Sequence, residues 1–469
     1  MIGRRNTALL IGALWIAEVT GSFETAMILA ALRKLIGDFG DPAMVGWLIT
    51  GYLIVGAAIA AIVGRLGDLF GRRQILVIVL GIGASGSLIS AFSGDFAILL
   101  VGRLMQGVTG AILPLCIGLV HENMGKERAP MAIGLMISGA SIGTAAGLVI
   151  GGLIVDRIGW HGIFVASAGL CTVAGLATLA FVPQSIRRPS TQSVDWISGL
   201  AFAPGVALVL VYFSLGKDWG WADARSLAAL AVGLALIGWW MRQSLVSPNP
   251  LVAVRSFADR TIAIGSAVTA LVAMSALQIT VFFSLLMQAP LWTLAGLGFS
   301  ATLAGLAKLP SNLSSVFAGP LGGWLAARGG GRLALIAGGI TTIAGWLLWF
   351  VMDVDSFARV VGQLIVISFG TTMLFSVAPT IIAQASPPER ISEISGLITV
   401  IRQLFMGIGA QMVTTLLAVD VVRQGKESYP SAYAYDLTVA VIAALCAAAV
   451  LTALALPRGA SEPSGPGEA

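Results

Sequence analysis

Charge is what this chain has least of. Of its 469 residues only 10% are Asp, Glu, Lys or Arg, against about 25% in an ordinary soluble domain. That shortage excludes a typical soluble enzyme, a nucleic-acid-binding module and a disordered scaffold, which all need a dense polar surface. Cysteine is scarce as well. Cys116, Cys171 and Cys446 lie far apart inside apolar runs, so neither a disulfide framework nor a metal-ligand spacing is available. The histidines add nothing: His121-Glu122-Asn123-Met124-Gly125 begins like a zinc-protease helix but lacks the second histidine. Walker-type phosphate loops and nucleophile elbows are missing too. No enzyme and no ATP-driven machine is legible, and no cofactor or metal is expected.

Apolar sequence is abundant instead. Hydrophobic residues make up 57% of the chain and gather in runs of roughly 18 to 25, the length at which a helix crosses a bilayer. Fourteen runs are predicted to span: 8–31, 44–64, 74–93, 96–120, 130–154, 162–183, 194–215, 225–241, 261–287, 298–326, 332–351, 358–384, 394–419 and 436–456. The first is too long, and with Glu18 and Glu24 too acidic, for a cleaved leader. With the N-terminus inside, sixteen of the 27 basic residues fall in inner loops and tails, among them Lys126, Arg187 and Arg188, and eight in outer loops. Positive charge is retained on the cytoplasmic side, so both termini are expected there. The net charge of +5 follows from orientation and implies no nucleic-acid partner.

Five ionisable residues remain at membrane depth: Glu18, Glu24, Arg103, Lys308 and Arg402. Each costs at least about 2.5–3.5 kcal/mol on insertion, so each calls for a function or a partner. At about 1.5 Å per residue, Glu24 and Arg103 both lie roughly 10 Å below the outer surface and are expected to communicate. Glu18 lies about 120° around its helix from Glu24, so the two acids do not share a face. Gln106 shares a face with Arg103 and either binds substrate or holds the arginine. Lys308 is followed by Pro310, which frees a backbone carbonyl, and by Asn312. It either pairs with an acid or binds a substrate carboxylate. Arg402 is expected to order the inner half of the bundle. Tyr52 and Phe283 either line an adaptable apolar pocket or pack between helices.

A glycine-rich basic loop, Gly64-Arg65-Leu66-Gly67-Asp68-Leu69-Phe70-Gly71-Arg72-Arg73, follows the second run, with a weaker echo from Gly322 to Arg332 after the tenth. Glycines permit a tight turn, and Asp68 can accept from Arg72 or Arg73 or face a helix N-terminus. This loop resembles the one between helices two and three of the major facilitator superfamily. Arg103-Leu104-Met105-Gln106-Gly107 and the glycines at 139, 143, 147, 151 and 152 resemble further motifs of that superfamily, and Phe23-Glu24-Thr25-Ala26-Met27-Ile28, Pro387-Pro388-Glu389-Arg390 and Arg402-Gln403 resemble segments of its fourteen-helix drug:proton antiporters. Leu69, Leu148 and Glu24 depart from the family's basic residue, proline and aspartate.

The resemblance implies an all-α membrane protein with six-helix bundles at 1–190 and 259–457 and a transmembrane hairpin with its flanking loops inserted at 191–258. Residues 458–469, rich in Pro, Gly, Ser and Glu, are expected to form a disordered tail. It further implies alternating access in an inner membrane by a monomer, with protons, a small amphipathic organic substrate and the bilayer as partners. Glu24 is the expected proton carrier, Arg103 and Glu18 assist it, and Gln106, Lys308, Asn312, Tyr52 and Phe283 are the candidate substrate contacts. Gly64, Asp68, Gly71, Arg72 and Arg73, with Gly143, Gly147, Gly151 and Gly152, form the expected conformational motifs. The function so implied is proton-driven export of drugs or similar compounds. Proton-coupled transport of an organic anion or zwitterion through Lys308, and a lipid-handling transporter, stay open.

Overall fold

The computed structural model describes residues 4–39, 42–124, 128–185, 201–247, 250, 254–293, 295–299, 301–352, 356–424 and 427–456. The expected tail 458–469, the inner-loop residues Lys126, Arg187 and Arg188, and the start of the seventh run at 194–200 lie outside them. A backbone in lipid must satisfy its own hydrogen bonds, and nearly every described residue is helical.

Two compact units emerge: Met1–Ala258 with Ser386–Val400, and Asp259–Ala385 with Ile401–Ala469. The first unit contains α1 (Arg4–Phe39), α2 (Pro42–Phe70), α3 (Arg72–Ala91), α4 (Phe96–Gln106), α5 (Ile112–Asn123), α6 (Ala129–Ile158), α7 (His161–Phe181), α8 (Phe202–Trp219) and α9 (Ala224–Val246). The second contains α10 (Arg260–Met274), α11 (Ile279–Gln288), α12 (Ala301–Gly329), α13 (Gly331–Leu347), α14 (Phe357–Ala385) and α16 (Ala432–Leu454), while α15 (Ile391–Leu417) contributes its start to the first unit and the rest to the second. Carboxylates and a hydroxyl cap four N-termini: Asp95, Asp223, Asp259 and Ser431 accept from the first-turn amides of α4, α9, α10 and α16.

Twelve helical spans among the described residues are long and apolar enough to cross a membrane, not the fourteen expected. The seventh run is described only from residue 201, as the 18-residue helix α8. The tenth run yields α12, a 29-residue helix that carries Lys308, Pro310, Ser311, Asn312, Ser314 and Ser315 and is too polar on average to qualify. In the range expected to hold an inserted hairpin, α8 and α9 pack together through Gly205 and Gly233, with the Phe202 and Trp240 rings 4.6 Å apart.

Local irregularities went unread in the sequence. The fourth run is broken by a 3-10 turn at Gly107–Ala111 between α4 and α5, and α10 and α11 are joined by another at Ala276–Gln278. A two-stranded antiparallel hairpin, β1 (Val421–Gln424) with β2 (Glu427–Pro430), links α15 to α16. The two glycine-rich loops prove to be alike in backbone as well as in sequence. Each contracts to one glycine of positive φ before the next helix, Gly71 at 106° and Gly330 at 82°, a region that side chains rarely enter.

Close helix contact in the first unit runs through small residues, as expected where lipid removes any hydrophobic drive between helices. The glycines of α6 face α1: a Cβ on Gly147 would lie 2.8 Å from both Cβ of Ala26 and the Phe23 carbonyl oxygen, and Gly143 abuts Val19 and Ser22. Gly151 meets Met27 across the same seam, whereas Gly152 faces open space. These glycines of the expected conformational motif lie inside the first unit, packed on the helix that carries Glu24. In the second unit Phe282, Phe283, Trp346 and Tyr435 form a buried aromatic core, with edge-on ring pairs 5.3–5.5 Å apart.

Candidate functional site

Glu24 is fully buried in the first unit, on the flank of α1 next to the one pinned by the glycines of α6. Four helical segments deliver its hydrogen-bond donors. Thr109 of the 3-10 turn donates to Oε2 at 2.7 Å. Ser167 of α7 donates to Oε1 at 2.7 Å, Ser87 of α3 at 3.3 Å, Cys171 of α7 at 3.4 Å and Gln106 of α4 at 3.5 Å. Ser87 and Ser167 also bond each other at 2.9 Å. A second glycine contact makes this convergence possible. A Cβ at Gly107 would come within 2.8 Å of the Tyr52 carbonyl, so α2 approaches the turn that presents Thr109.

Arg103 lies beside this cluster yet does not pair with the carboxylate. Its guanidinium donates to the backbone oxygens of Leu48 at 3.0 Å and Glu24 at 3.3 Å, and to Oε1 of Gln106 at 2.8 Å. It stacks 4.4 Å from the centre of the Tyr52 ring, a cation–π contact, and its Nη2 is buried without a partner. The two side chains are linked by hydrogen bonds through Gln106, and Arg103 also bonds the α1 backbone at the Glu24 carbonyl. Of the two roles open for Gln106, the geometry favours holding the arginine, since the amide is fully buried and bonds both Arg103 and Ser87.

Tyr52 is 4% exposed. Its hydroxyl lies 3.1 Å from Oγ1 of Thr109, accepts from Thr25 at 3.2 Å and is 3.2 Å from the Gly21 carbonyl oxygen. Glu18 is also buried, but away from the Glu24 carboxyl and within electrostatic reach of Cys116 on α5. The other candidate substrate contacts belong to the second unit. Phe283 is sealed in the aromatic core, which departs from the pocket-lining role. Lys308 is half-buried, and its ammonium bonds the Thr280 carbonyl oxygen at 3.3 Å. Asn312 lies one turn on, also half-buried. Arg402 stacks 4.9 Å from the centre of the Phe375 ring.

The glycine-rich loop forms a separate polar knot, also in the first unit. Arg72 donates to Oδ1 of Asp68 from Nε and Nη2, both at 2.8 Å. It also donates to Ser392 at 3.0 Å, the Gly118 carbonyl at 3.1 Å and the Pro388 carbonyl at 2.6 Å, and pairs with Glu122 at 3.4 Å. Asp68 accepts from the amides of Ser392 at 3.3 Å and Glu393 at 2.9 Å. Both options open for Asp68, a basic partner and a helix N-terminus, are thus realised at once. These amides begin α15, where intrahelical acceptors are lacking and negative charge is favoured. Gly64 lets α2 close on this terminus, since a Cβ there would collide with the Ser392 carbonyl oxygen. Arg73 points elsewhere, with its amide on Ser185 and its guanidinium on the Leu179 carbonyl.

Ser87, Thr109, Ser167 and Cys171 around Glu24, and Arg65, Glu122, Ser392 and Glu393 around Asp68, escaped the sequence reading. Hydroxyls and thiols are common in membrane helices, and no spacing marks those that converge. The one available signal was Ser167 and Cys171, four residues apart in a single apolar run, hence on one face.

The family model described as Major Facilitator Superfamily matches residues 14–410. A tetracenomycin C resistance and export protein of Streptomyces glaucescens is 27% identical over 423 residues, covering 87% of this chain and 76% of that protein. A multidrug transporter protein of Bacillus subtilis is 26% identical over 418 residues, covering 87% and 74%. A lincomycin resistance protein of Listeria monocytogenes is 26% identical over 423 residues, covering 90% and 87%. Among solved structures, the crystal structure of the human organic anion transporter MFSD10 superposes with a TM-score of 0.64 at 14% identity, over 97% of this chain and 100% of that one. That likeness speaks for the fold alone.

Proposed function

We propose, for a chain that belongs to the Major Facilitator Superfamily, a proton-driven exporter of amphipathic organic compounds that works by alternating access with Glu24 as its proton carrier. One observation carries this reading: Glu24 is a sealed carboxyl that makes no ion pair with the neighbouring Arg103 and is surrounded by groups able to serve either protonation state. Ionised, it accepts from Thr109, Ser167, Ser87, Gln106 and Cys171. Protonated, it becomes a donor, and the displaced hydroxyl protons have other acceptors: Thr109 turns to the Gln106 carbonyl oxygen at 2.8 Å, and Ser87 and Ser167 turn to each other. A permanent ion pair with Arg103 would lock one charge state, and the geometry argues against it. Arg103 instead holds the α1 backbone at the Glu24 carbonyl, so a change at the carboxyl is felt by α2 and α4.

The class of substrate is supported by the relatives, whose names record resistance to or export of tetracenomycin C, lincomycin and multiple drugs. The remaining features belong to the same proposal: fourteen crossings, with α8 and α12 completing the twelve, an insertion of α8 and α9 between six-helix bundles, an inner-membrane location with both termini cytoplasmic, and a monomer. The Asp68–Arg72 knot on the start of α15 is proposed as a latch of one conformational state.

A second reading has its own support. The sequence of the second unit contains no Asp or Glu from Arg260 to Met352, or from Ser356 to Ala385, and the Lys308 ammonium bonds a backbone oxygen, that of Thr280, with no ion pair among the described residues. An organic anion or zwitterion would supply a carboxylate. Proteoliposomes loaded with a pH dye and given lipophilic cations, zwitterions or carboxylates separate the readings. Cation-driven proton movement lost in Glu24→Gln supports drug antiport, and a carboxylate response lost in Lys308→Ala supports the anion. Proton coupling that survives Glu24→Gln refutes the carrier role.

A further inference from the structure

The Glu24 carboxyl has no exposed surface, and neither do Ser87, Ser167 or Gln106 around it, while Cys171 is 1% exposed. In this conformation a proton can reach or leave the carboxyl only along a path that the packing contains. One hydrogen-bonded branch differs from the rest. From Oε2 of Glu24 it runs 2.7 Å to Oγ1 of Thr109, 3.1 Å to Oη of Tyr52 and 3.2 Å to Oγ1 of Thr25. Thr109 and Tyr52 are buried, but Thr25 is partly exposed. Every other donor on Glu24 leads to another sealed group.

We infer that Thr109, Tyr52 and Thr25 form a hydroxyl relay that carries protons between water and the sealed Glu24 carboxyl. This rests on the reading of Glu24 as proton carrier and adds the route and the residues that compose it. Loading conserves atoms and charge as follows. An aqueous proton binds Oγ1 of Thr25 while the proton already there passes to Oη of Tyr52. The phenolic proton passes to Oγ1 of Thr109, and the Thr109 proton passes to Oε2 of Glu24. Each hydroxyl breaks one O–H bond and forms another, water loses one proton, and one carboxylate is neutralised.

The three hydroxyls then point away from Glu24 and must rotate before the next transfer. Each has a backbone or chain acceptor that shelters its proton during the turn. Thr109 has the Gln106 carbonyl oxygen at 2.8 Å. Tyr52 and Thr25 share the Gly21 carbonyl oxygen, at 3.2 and 3.0 Å. Arg103 fixes the phenol by stacking on its ring at 4.4 Å. The ionisable side chains that bear on the carboxyl are Arg103 from α4, Tyr52 from α2 and Cys171 from α7, and only Tyr52 also bonds toward a partly exposed group. The phenol is thereby reassigned from candidate substrate contact to proton-positioning residue.

Time-resolved infrared spectroscopy of the full chain in lipid nanodiscs, after a pH jump, tests the relay without any substrate. Glu24 is identified as the protonated-carboxyl band that disappears in Glu24→Gln. Tyr52→Phe keeps the ring over Arg103 and removes only the hydroxyl, and Thr25→Val removes the far end with little change in volume. Both are expected to slow the rise of that band by about 10²-fold, the lower end of what a positioned proton-transfer group contributes, while its final amplitude persists. A merely structural role would lower the amplitude or the folded fraction and leave the rate of the folded remainder unchanged. Parental rates in both variants, with the band present, overturn the relay and leave the carrier standing. Absence of any band sensitive to Glu24→Gln overturns the carrier and the relay together.

Discussion

Replacing Asp68 by alanine should release the first turn of α15, and the size of the effect follows from the contacts. The amides of Ser392 and Glu393 sit where a helix offers no intrahelical acceptor, and both donate to the Asp68 carboxylate. The amide of Ile394, by contrast, already bonds the Arg390 carbonyl. Removing the carboxylate breaks two amide bonds and leaves Arg72, whose side chain is 8% exposed, without its principal counter-charge. Breaking a buried pair from one side costs about 3–5 kcal/mol. Arg72 keeps Gly118, Pro388, Ser392 and Glu122 as partners, which lowers the figure to about 2–3 kcal/mol, within the range of hydrogen bonds to charged groups. At about 1.4 kcal/mol per factor of ten, the Ser392 and Glu393 amides should exchange roughly 30- to 150-fold faster. Asp68→Asn keeps an acceptor and loses only the charge assistance, about 1 kcal/mol or roughly fivefold. Hydrogen exchange of peptides covering 386–400, read against a peptide from α16, measures both. Parental protection of Ser392 and Glu393 in Asp68→Ala would refute the assignment of Asp68 as their acceptor.

Three further outcomes are expected from thermal denaturation of purified variants in detergent. Gly147→Leu should destabilise by at least about 1–3 kcal/mol through overpacking of α1 on α6, whereas Gly152→Ala, which faces open space, should melt like the parent; equal melting of the two variants would contradict the seam. Gln106→Ala strips Arg103 of a fully buried acceptor and should cost about 1–3 kcal/mol, and an unchanged midpoint would mean that another group satisfies the guanidinium. Gly71→Ala and Gly330→Ala both force a side chain into positive φ and should each cost about 1–2 kcal/mol, so a loss at one and none at the other would break the equivalence of the two loops.

Much of the helical layout was legible. Long apolar runs mark crossing helices whatever surrounds them, because each must satisfy its own backbone and match a fixed hydrocarbon thickness. Polar composition kept one run from standing as a span on its own: α12 is a continuous 29-residue helix that carries Lys308, Asn312 and several serines and is not among the twelve apolar spans of the described residues. The 3-10 break at Gly107–Ala111 and the β1–β2 hairpin left no periodicity to read. Glu24 and Arg103 stood out because a charge at such depth is costly enough to demand a reason, and Asp68 and Arg72 because they belong to a glycine-rich basic loop. Their partners did not, because a serine or threonine in a helix can satisfy itself on the carbonyl four residues back, as Thr178 does. Its sequence looks the same as that of Ser167, which serves the carboxyl.

The amino-acid sequence by itself determined that this protein lives in a membrane, that it resembles one superfamily of transporters, and which few charges its spans must carry. Insertion and superfamily motifs are local properties, readable within a run of some 20 residues. Tertiary structure alone decided which partners those charges have. Glu24 meets residues 63 to 147 positions away, and Asp68 meets amides more than 320 positions away, through glycine contacts that bring backbones within reach. It also decided that Arg103 holds a helix backbone and leaves the carboxylate unpaired, and that Tyr52 bonds Thr109 and Thr25 beside that carboxylate. Such convergence depends on which faces pack, and packing is a property of pairs of helices that no single run encodes.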